Sequence, residues 1–411
     1  MHGVSLFCKV HLPLGLSNYS AGDIGAGTAY FNDEANERVV NQLATLCYLP
    51  ANKIMLSLIE KYKGKFNLSY SISGTTLQLL MQYRPDVIRS FQQLAATGCV
   101  EFVAETYYNS LSWLHSKKEF ESQVVKHRNL IKTLFNQSPA VFRNTELIYN
   151  NELAAFLAGM GFRGVICEGL DRLLLGRNPN KIYSAPGVKD FGILLRQVSL
   201  SDDIAFRFGS PHWSEFPLTA EKYAGWIHQH REATTINILL DYETFGIHKK
   251  PDTGIFQFLE NLPAEVLKDN QWIFMTASQA LNAGNAEDFY DIEETISWKD
   301  KEIESCVWCE NTHQNNMLKK VYSLENMVRK TGTEKDMENW RHLQTADYFY
   351  YMWGNKRTDD DAYQYLNPFI SGEEAYNNYR NIITGIEIQL IEKGLSAFKE
   401  KNPASSNSSI Y

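Results

Sequence analysis

The chain has 411 residues, of which 44% are hydrophobic and 21% are charged, and its formal net charge is −8. These values are ordinary for a globular protein that buries a sizeable core, and the length suits one large domain with a smaller one, or two to three domains of ordinary size. The acidic balance argues against a sequence-independent nucleic-acid binder and against a protein held to membranes by basic residues. We therefore expect neither nucleic acid nor a membrane as partner.

The N-terminal residues 1–17 indicate a first strand, because they lack a basic segment followed by an apolar stretch and a cleavage site of small residues. No apolar run approaches the length of a membrane span. The six cysteines mostly lie in apolar segments and do not resemble the disulfide framework of a small secreted domain. We expect a cytoplasmic protein.

Short apolar runs rich in β-branched residues alternate with helical patterns through the first 280 residues. A typical helical pattern covers 119–135, where the apolar residues share one face. Repeated strand–helix units predict a parallel sheet covered by helices, as a barrel or a doubly wound sheet, and the number of strands favours the barrel. The predicted strands are 5–12, 66–73, 99–104, 140–148, 163–168, 193–200, 236–243 and 271–277.

The pattern changes near residue 300. Amphipathic helices are predicted over 312–330, 335–354 and 371–395. We therefore predict a catalytic barrel over 1–300 and an α-helical subdomain over 301–396. The polar tail 397–411 is predicted to be disordered.

Polar residues stand at or near the ends of several predicted strands, where the active site of a β/α barrel lies. Asp241 and Glu243 are two residues apart, so in one strand they would share a face. Any one acid is more often a structural partner, but acids that converge are costly to bury unless they are paired or have a function. The residues in question are His11, Glu101, Asn144, Glu146, Asp241 and Glu243.

Clustered carboxylates suit three kinds of site: glycoside hydrolysis, metal-dependent hydrolysis, or sugar binding without catalysis. A metal site is disfavoured, because the histidines are scattered and form neither an HxxxH nor an HExxH pattern. The half-site Cys306–Cys309–His313 lacks a second pair of ligands. We expect no metal and no cofactor. Candidates for stacking on sugar rings are Trp213, Trp298 and Trp308, although core packing is the commoner use of tryptophan.

Five segments, in order, resemble the motifs of glycoside hydrolase family 57, a group of α-amylase-like α-glucan hydrolases and glucanotransferases. They are VHLPLG (10–15), TGCVEF (97–102), FRNTELIYN (142–150), LLDYETFG (239–246) and LQTADYFYYM (343–352). The resemblance implies a distorted seven-stranded β/α barrel followed by helices that complete the active site. It also implies cleavage with retention of configuration.

The resemblance assigns the nucleophile to Glu146 and the acid/base to Asp241. It gives substrate-binding roles to His11, Glu101, Glu243 and Asp347. Two departures concern neighbouring positions: Arg143 stands where some members have an aromatic residue, and Tyr350 stands where tryptophan is frequent. They leave the catalytic pair intact and leave the length of the substrate open. We predict that Tyr350 contacts the sugar.

The first hypothesis is thus a retaining α-glucan hydrolase acting on maltooligosaccharides, starch fragments or glycogen. A 4-α-glucanotransferase would use the same pair and differ only in whether water or a sugar hydroxyl resolves the intermediate. A metal-dependent polysaccharide deacetylase would need an Asp-His-His ligand set. A non-catalytic glycan-binding protein is the remaining alternative.

Overall fold

The structure is a computed structural model that describes residues 1–298, 308–353 and 366–401, with side chains as far as residue 396. The predicted boundary at residues 300 and 301, Cys306, and most of the predicted disordered tail lie outside the described residues. Residues 397–401, which the sequence assigned to that tail, continue the last helix.

All eight predicted strands are present, and two short strands were not predicted, Ile182–Ser184 and Asp288–Phe289. The strands are β1 His2–Val10, β2 Leu68–Ile72, β3 Val100–Phe102, β4 Val141–Arg143, β5 Gly164–Glu168, β6 Ile182–Ser184, β7 Gly192–Arg196, β8 Thr235–Asp241, β9 Trp272–Phe274 and β10 Asp288–Phe289.

The helices between the strands follow the predicted alternation, and the helical pattern predicted over 119–135 is the helix Lys117–Phe135. As far as Leu281 the helices are α1 Asp33–Leu43, α2 Leu49–Tyr62, α3 Gly74–Tyr83, α4 Pro85–Ala96, α5 Ser112–His115, α6 Lys117–Phe135, α7 Asn151–Gly159, α8 Asp171–Leu174, α9 Val198–Asp202, α10 Ala220–Gln229, α11 Ile255–Val266 and α12 Ala277–Leu281.

Two of the predicted C-terminal helices are each divided into two. The helices are α13 Thr312–Ser323, α14 Glu325–Thr331, α15 Glu334–His342, α16 Ala346–Tyr351 and α17 Gly372–Lys401. None of the helices in the described ranges is both long and apolar enough to cross a membrane.

Seven parallel strands close into a barrel. In order around the barrel they are β1, β2, β3, β4, β5, β7 and β8, and β8 pairs again with β1. Two joints between neighbouring strands consist of a single bridging residue pair each. Ala104 with Phe142 joins β3 to β4, and Arg196 with Asn237 joins β7 to β8. The distorted seven-stranded β/α barrel is therefore confirmed, and these two joints are where it is distorted.

The barrel interior is filled by alternate residues of the strands. Phe7 of β1 pairs in register with Leu239 of β8, and both belong to one buried apolar cluster with Val103, Val141 and other interior residues. Because side chains alternate along a strand, the residues two positions further on form the next interior layer. In β1 and β8 these are Lys9 and Asp241, which are also a register pair.

The described residues form two compact units. The first contains Met1–Leu12, Glu37–Asn109 and the chain from Phe120 to the end of the first described range. The second contains Pro13–Asn36, Ser110–Glu119 and the described residues from 308 onward. The prediction placed residues 1–300 in the barrel as one block, whereas Pro13–Asn36 and Ser110–Glu119 group with the second unit.

Ion pairs and a β-bridge explain why the segment Ser110–Glu119 belongs to the second unit. The carboxylate of Glu119 is fully buried and accepts hydrogen bonds from Arg329 at 2.5 Å and from Arg341 at 2.8 Å. Ser110 also forms a bridge with Thr345. A buried carboxylate needs such partners, and the sequence gives no local sign of partners more than 200 residues away.

Candidate active site

Glu146 lies on a strained turn at the end of β4. It is the central residue of the 3-10 turn Thr145–Leu147, with φ = 54° and ψ = 26°, and Leu147 has φ = 53°. Residues other than glycine rarely adopt this left-handed conformation, and such strain, about 1–3 kcal/mol per residue, is concentrated at functional sites. The Asn144 amide stabilises the turn by accepting from the Thr145 N–H at 3.0 Å and donating to the Ile148 carbonyl at 3.0 Å.

The Glu146 carboxylate is buried and contacts two donors. The Trp298 indole N–H donates to its Oε2 at 2.7 Å, and Lys9 Nζ donates to its Oε1 at 3.4 Å. Both of these groups are hydrogen-bond donors, and a carboxylate oxygen accepts from such groups. The structure thus brings Trp298 to the proposed nucleophile through its N–H.

Lys9 also contacts Asp241. Lys9 Nζ lies 3.6 Å from Asp241 Oδ1, and the Lys9 side chain is 9% exposed while that of Asp241 is 33% exposed. The two carboxylate oxygens on Lys9 are thus no more than about 7 Å apart, the limit set by contacts of 3.4 and 3.6 Å to one nitrogen. This limit accommodates the separation of roughly 5–5.5 Å between carboxyl groups that retention requires. Partial exposure leaves Asp241 accessible to a ligand.

The cations around Asp241 determine its charge state. Burial by itself would raise the pKa of Asp241, but Lys9, His248, Arg143 and Arg196 together hold it below its ordinary value. Asp241 is therefore ionised at neutral pH in the free protein.

Charged residues of alternating sign surround this end of the barrel. Arg143 at the end of β4 pairs with Glu105 at 3.7 Å, and Arg196 at the end of β7 pairs with Glu168 of β5 at 3.1 Å. With Lys9 of β1 and Asp241 of β8, each of the seven barrel strands except β2 contains or is followed by one of these residues, which we call the charged layer. Pairing offsets the desolvation of charges that are almost fully buried. In order from β3 to β1 the charges are Glu105, Arg143, Glu168, Arg196, Asp241 and Lys9.

Glu243 has a different environment from Asp241. Strand β8 ends at Asp241, and Glu243 lies on the 3-10 turn Tyr242–Thr244, so the expectation that both acids share one strand face is wrong. The Tyr48 hydroxyl donates to Glu243 Oε1 at 2.5 Å. Burial, with the Asp241 charge, raises the pKa of Glu243 to about 8. Of the two acids, Glu243 is thus the one that is largely protonated at neutral pH.

This raised pKa predicts a pH dependence of stability. Because folded Glu243 holds its proton to about pH 8 while the unfolded group releases it near 4.5, wild-type stability should fall as pH rises between these values. Glu243→Gln should remove that part of the slope. Urea unfolding from pH 4.5 to 8.5 checks this, and identical slopes in both proteins would contradict the assignment.

His11 and Glu101 have structural partners. The His11 Nδ1 atom lies 2.7 Å from the Ser73 hydroxyl, which caps α3. Glu101 lies at the level of Phe7, one layer below Lys9, and accepts from the Ser278 N–H at 2.8 Å and the Ser278 hydroxyl at 2.6 Å. These bonds hold the first turn of α12 and favour a structural role for Glu101 over the predicted substrate contact.

The other predicted sugar contacts are distributed over both units. Trp213 packs edge-on against Trp226, with the Arg207 guanidinium near its ring. Asp347, Tyr350 and Trp308 belong to the second unit, where all three are buried. Substrate contacts for these residues stay predictions.

The cations of the charged layer were not among the site residues predicted from the sequence. Lys9, Arg143 and Arg196 each occupy the last or next-to-last position of a strand, on the interior face. That position is the signal by which the sequence could have indicated them, whereas Arg143 entered the prediction only as a departure from the family pattern. Within the described ranges, no group of three or more His, Cys, Asp or Glu side chains is placed to hold a metal ion.

Comparison of the sequence with known proteins gives two matches. The family described as Glycosyl hydrolase family 57 matches residues 5–293. A protein of Methanocaldococcus jannaschii named "Putative alpha-amylase" is 35% identical over 385 residues, which cover 91% of this chain and 81% of that protein.

Solved structures of low sequence identity share the fold. The 4-alpha-glucanotransferase from Thermococcus litoralis has a TM-score of 0.66 at 14% identity, covering 85% of this chain but only 56% of that protein. The alpha-amylase AmyC from Thermotoga maritima has a TM-score of 0.65 at 14% identity, covering 97% of this chain and 94% of that protein. The extent of the family match and the identity to the M. jannaschii protein establish that this chain belongs to glycosyl hydrolase family 57.

Proposed function

We propose that this protein is a retaining α-glucan hydrolase that acts in the cytoplasm on maltooligosaccharides, starch fragments or glycogen. The observation that carries the proposal is the pair formed by Glu146 and Asp241. Both contact Lys9 Nζ at the end of the barrel where the parallel strands end, here called the barrel mouth. The α-glucan as substrate is supported by the family and by the names of the M. jannaschii and T. maritima relatives.

In the first step, the Glu146 carboxylate attacks the anomeric carbon while protonated Asp241 donates its proton to the departing oxygen. In the second step, ionised Asp241 takes a proton from water, which attacks the glycosyl-enzyme and releases Glu146. The Trp298 N–H and the strained turn fix the orientation of the attacking oxygen. Fixed orientation of reacting groups is a large part of enzymatic rate enhancement.

A 4-α-glucanotransferase is the second candidate, favoured by the likeness to the T. litoralis structure. Product analysis on maltoheptaose, with wild type and Glu146→Gln in parallel, separates the two. Shorter maltooligosaccharides from wild type alone support the hydrolase, and products longer than the substrate support the transferase. Lack of products from both proteins overturns the α-glucan proposal in favour of another glycan or a non-catalytic role.

Asp241→Asn should reduce turnover of natural glucans most, by about 10²–10⁴-fold, and reduce turnover of aryl α-glucosides with good leaving groups much less. The reason is that a good leaving group departs without a proton. Steady-state kinetics on both substrates check this, and equal losses would argue against the acid/base role.

A chelator should leave the activity of the wild-type protein on maltoheptaose unchanged. Loss of that activity on adding the chelator would favour a metal-dependent deacetylase.

A further inference from the structure

Lys9 occupies a central position between the two proposed catalytic acids. Its Nζ lies 3.4 Å from Glu146 Oε1 and 3.6 Å from Asp241 Oδ1, and its side chain is 9% exposed. The strand register fixes this placement, because Lys9 of β1 is paired with Asp241 of β8 above the apolar layer that contains Phe7. A buried ammonium between two carboxylates reduces their repulsion and gives each a partner of opposite charge.

The charged groups that face Asp241 come from several elements. Arg143 lies at the end of β4, Arg196 at the end of β7 and His248 in the loop after β8, and all three favour its ionised form together with Lys9. Glu146, after β4, supplies negative charge nearby, whereas Glu243, in the turn after β8, is largely protonated at neutral pH and adds negative charge only as pH rises past about 8. Arg143 and Arg196 are also engaged by Glu105 and Glu168, whereas Lys9 contacts the catalytic acids themselves.

We propose that Lys9 is a positioning residue that holds Glu146 and Asp241 together by reducing their repulsion and thereby sets the alkaline limit of the reaction. The proposal rests on the proposed function, in which Asp241 is the acid/base. Lys9 does not enter the bond changes; it acts through the two carboxylates.

The direction of the pH effect follows from the role of Asp241. The first step needs protonated Asp241, so above the pKa of Asp241 the competent fraction of the enzyme falls as pH rises, and at neutral pH only the small protonated fraction reacts. Lys9 lowers this pKa, so the alkaline limb of the profile lies at lower pH than it would without the lysine. An opposite charge within about 4–6 Å shifts a carboxyl pKa by roughly 1–3 units.

The experiment compares Lys9→Met, Lys9→Arg and wild type by kcat/KM on maltoheptaose from pH 2.5 to 9, a range that begins below the ordinary pKa of an aspartate. In Lys9→Met the alkaline limb should move up by about one pH unit or more, because the charge is gone while most of the apolar stem is kept. In Lys9→Arg the limb should stay close to wild type even if turnover falls. Lys181→Met is the matched control: it removes a lysine that pairs with Glu287 at 3.1 Å in the same unit, and its profile should not move.

A measurement without substrate separates this proposal from the proposed function. In protein labelled with ¹³C at the aspartate carboxyl carbons, the Asp241 signal is identified by its loss in Asp241→Asn. Its titration midpoint should rise by about one unit or more in Lys9→Met and stay near wild type in Lys9→Arg. An unchanged midpoint in folded Lys9→Met overturns the role of Lys9. A shifted midpoint in a protein that does not act on maltoheptaose upholds the electrostatic role and overturns the proposed function alone.

Discussion

Glu146→Gln is expected to lower kcat on maltoheptaose by about 10³-fold or more. The amide has the shape of the carboxylate, but it is a poor nucleophile and cannot form the glycosyl ester. Its carbonyl oxygen can still accept from the Trp298 N–H, a bond of 2.7 Å in the wild type, so the fold should persist. Turnover is measured beside thermal unfolding of both proteins.

Glu221→Gln is the matched control, because Glu221 is exposed on α10 and its variant should keep wild-type turnover. A folded Glu146→Gln that hydrolyses at a near-normal rate would show that another residue is the nucleophile. Azide added to Glu146→Ala should restore cleavage of an activated aryl α-glucoside and yield the β-glucosyl azide, since the small anion attacks from the vacated face. An azide product of α configuration would contradict double displacement through Glu146.

The barrel could be predicted because it depends on local patterns, whereas the catalytic roles of Glu146 and Asp241 follow from the family resemblance and stay predictions. Alternating apolar residues marked each strand, and strand ends mark the active site of a β/α barrel. The left-handed turn at Glu146 has no comparable signal, since no glycine marks it. Lys9 was missed for a related reason: its significance arises from pairing with Asp241, 232 positions away, through the register of β1 with β8.

Glu101 shows what the structure adds to a role transferred along a motif. The motif predicts a substrate contact, and the short strand β3 places Glu101 one layer below the proposed catalytic pair, where Ser278 donates to both of its oxygens. Glu105, four residues later, is the acid of this segment that reaches the charged layer and pairs with Arg143. Distinguishing the two acids requires knowing where the strand ends, which sequence patterns define poorly.

Arg196→Met is expected to have the largest effect on stability, lowering the free energy of unfolding by about 3–5 kcal/mol. Arg196 pairs with Glu168 at 3.1 Å and also donates to Asp202. Glu168 is fully buried, so the substitution leaves its charge without this cation in a poorly hydrated interior. Urea unfolding at pH 7 measures the loss.

The double variant Arg196→Met with Glu168→Gln should recover part of that loss, because it removes the uncompensated charge together with the cation. Arg231→Met is the matched control: Arg231 is 57% exposed and pairs with Asp269 at 2.5 Å, and such a surface pair is worth about 0–1 kcal/mol. If the single variant lost no more unfolding free energy than this control, the stability of the charged layer would not depend on pairing.

Arg196 also helps to hold the pKa of Asp241 down. Arg196→Met should therefore move the alkaline limb of activity to higher pH, as is expected of Lys9→Met. The charges that stabilise the barrel mouth would then also determine the pH range in which it works.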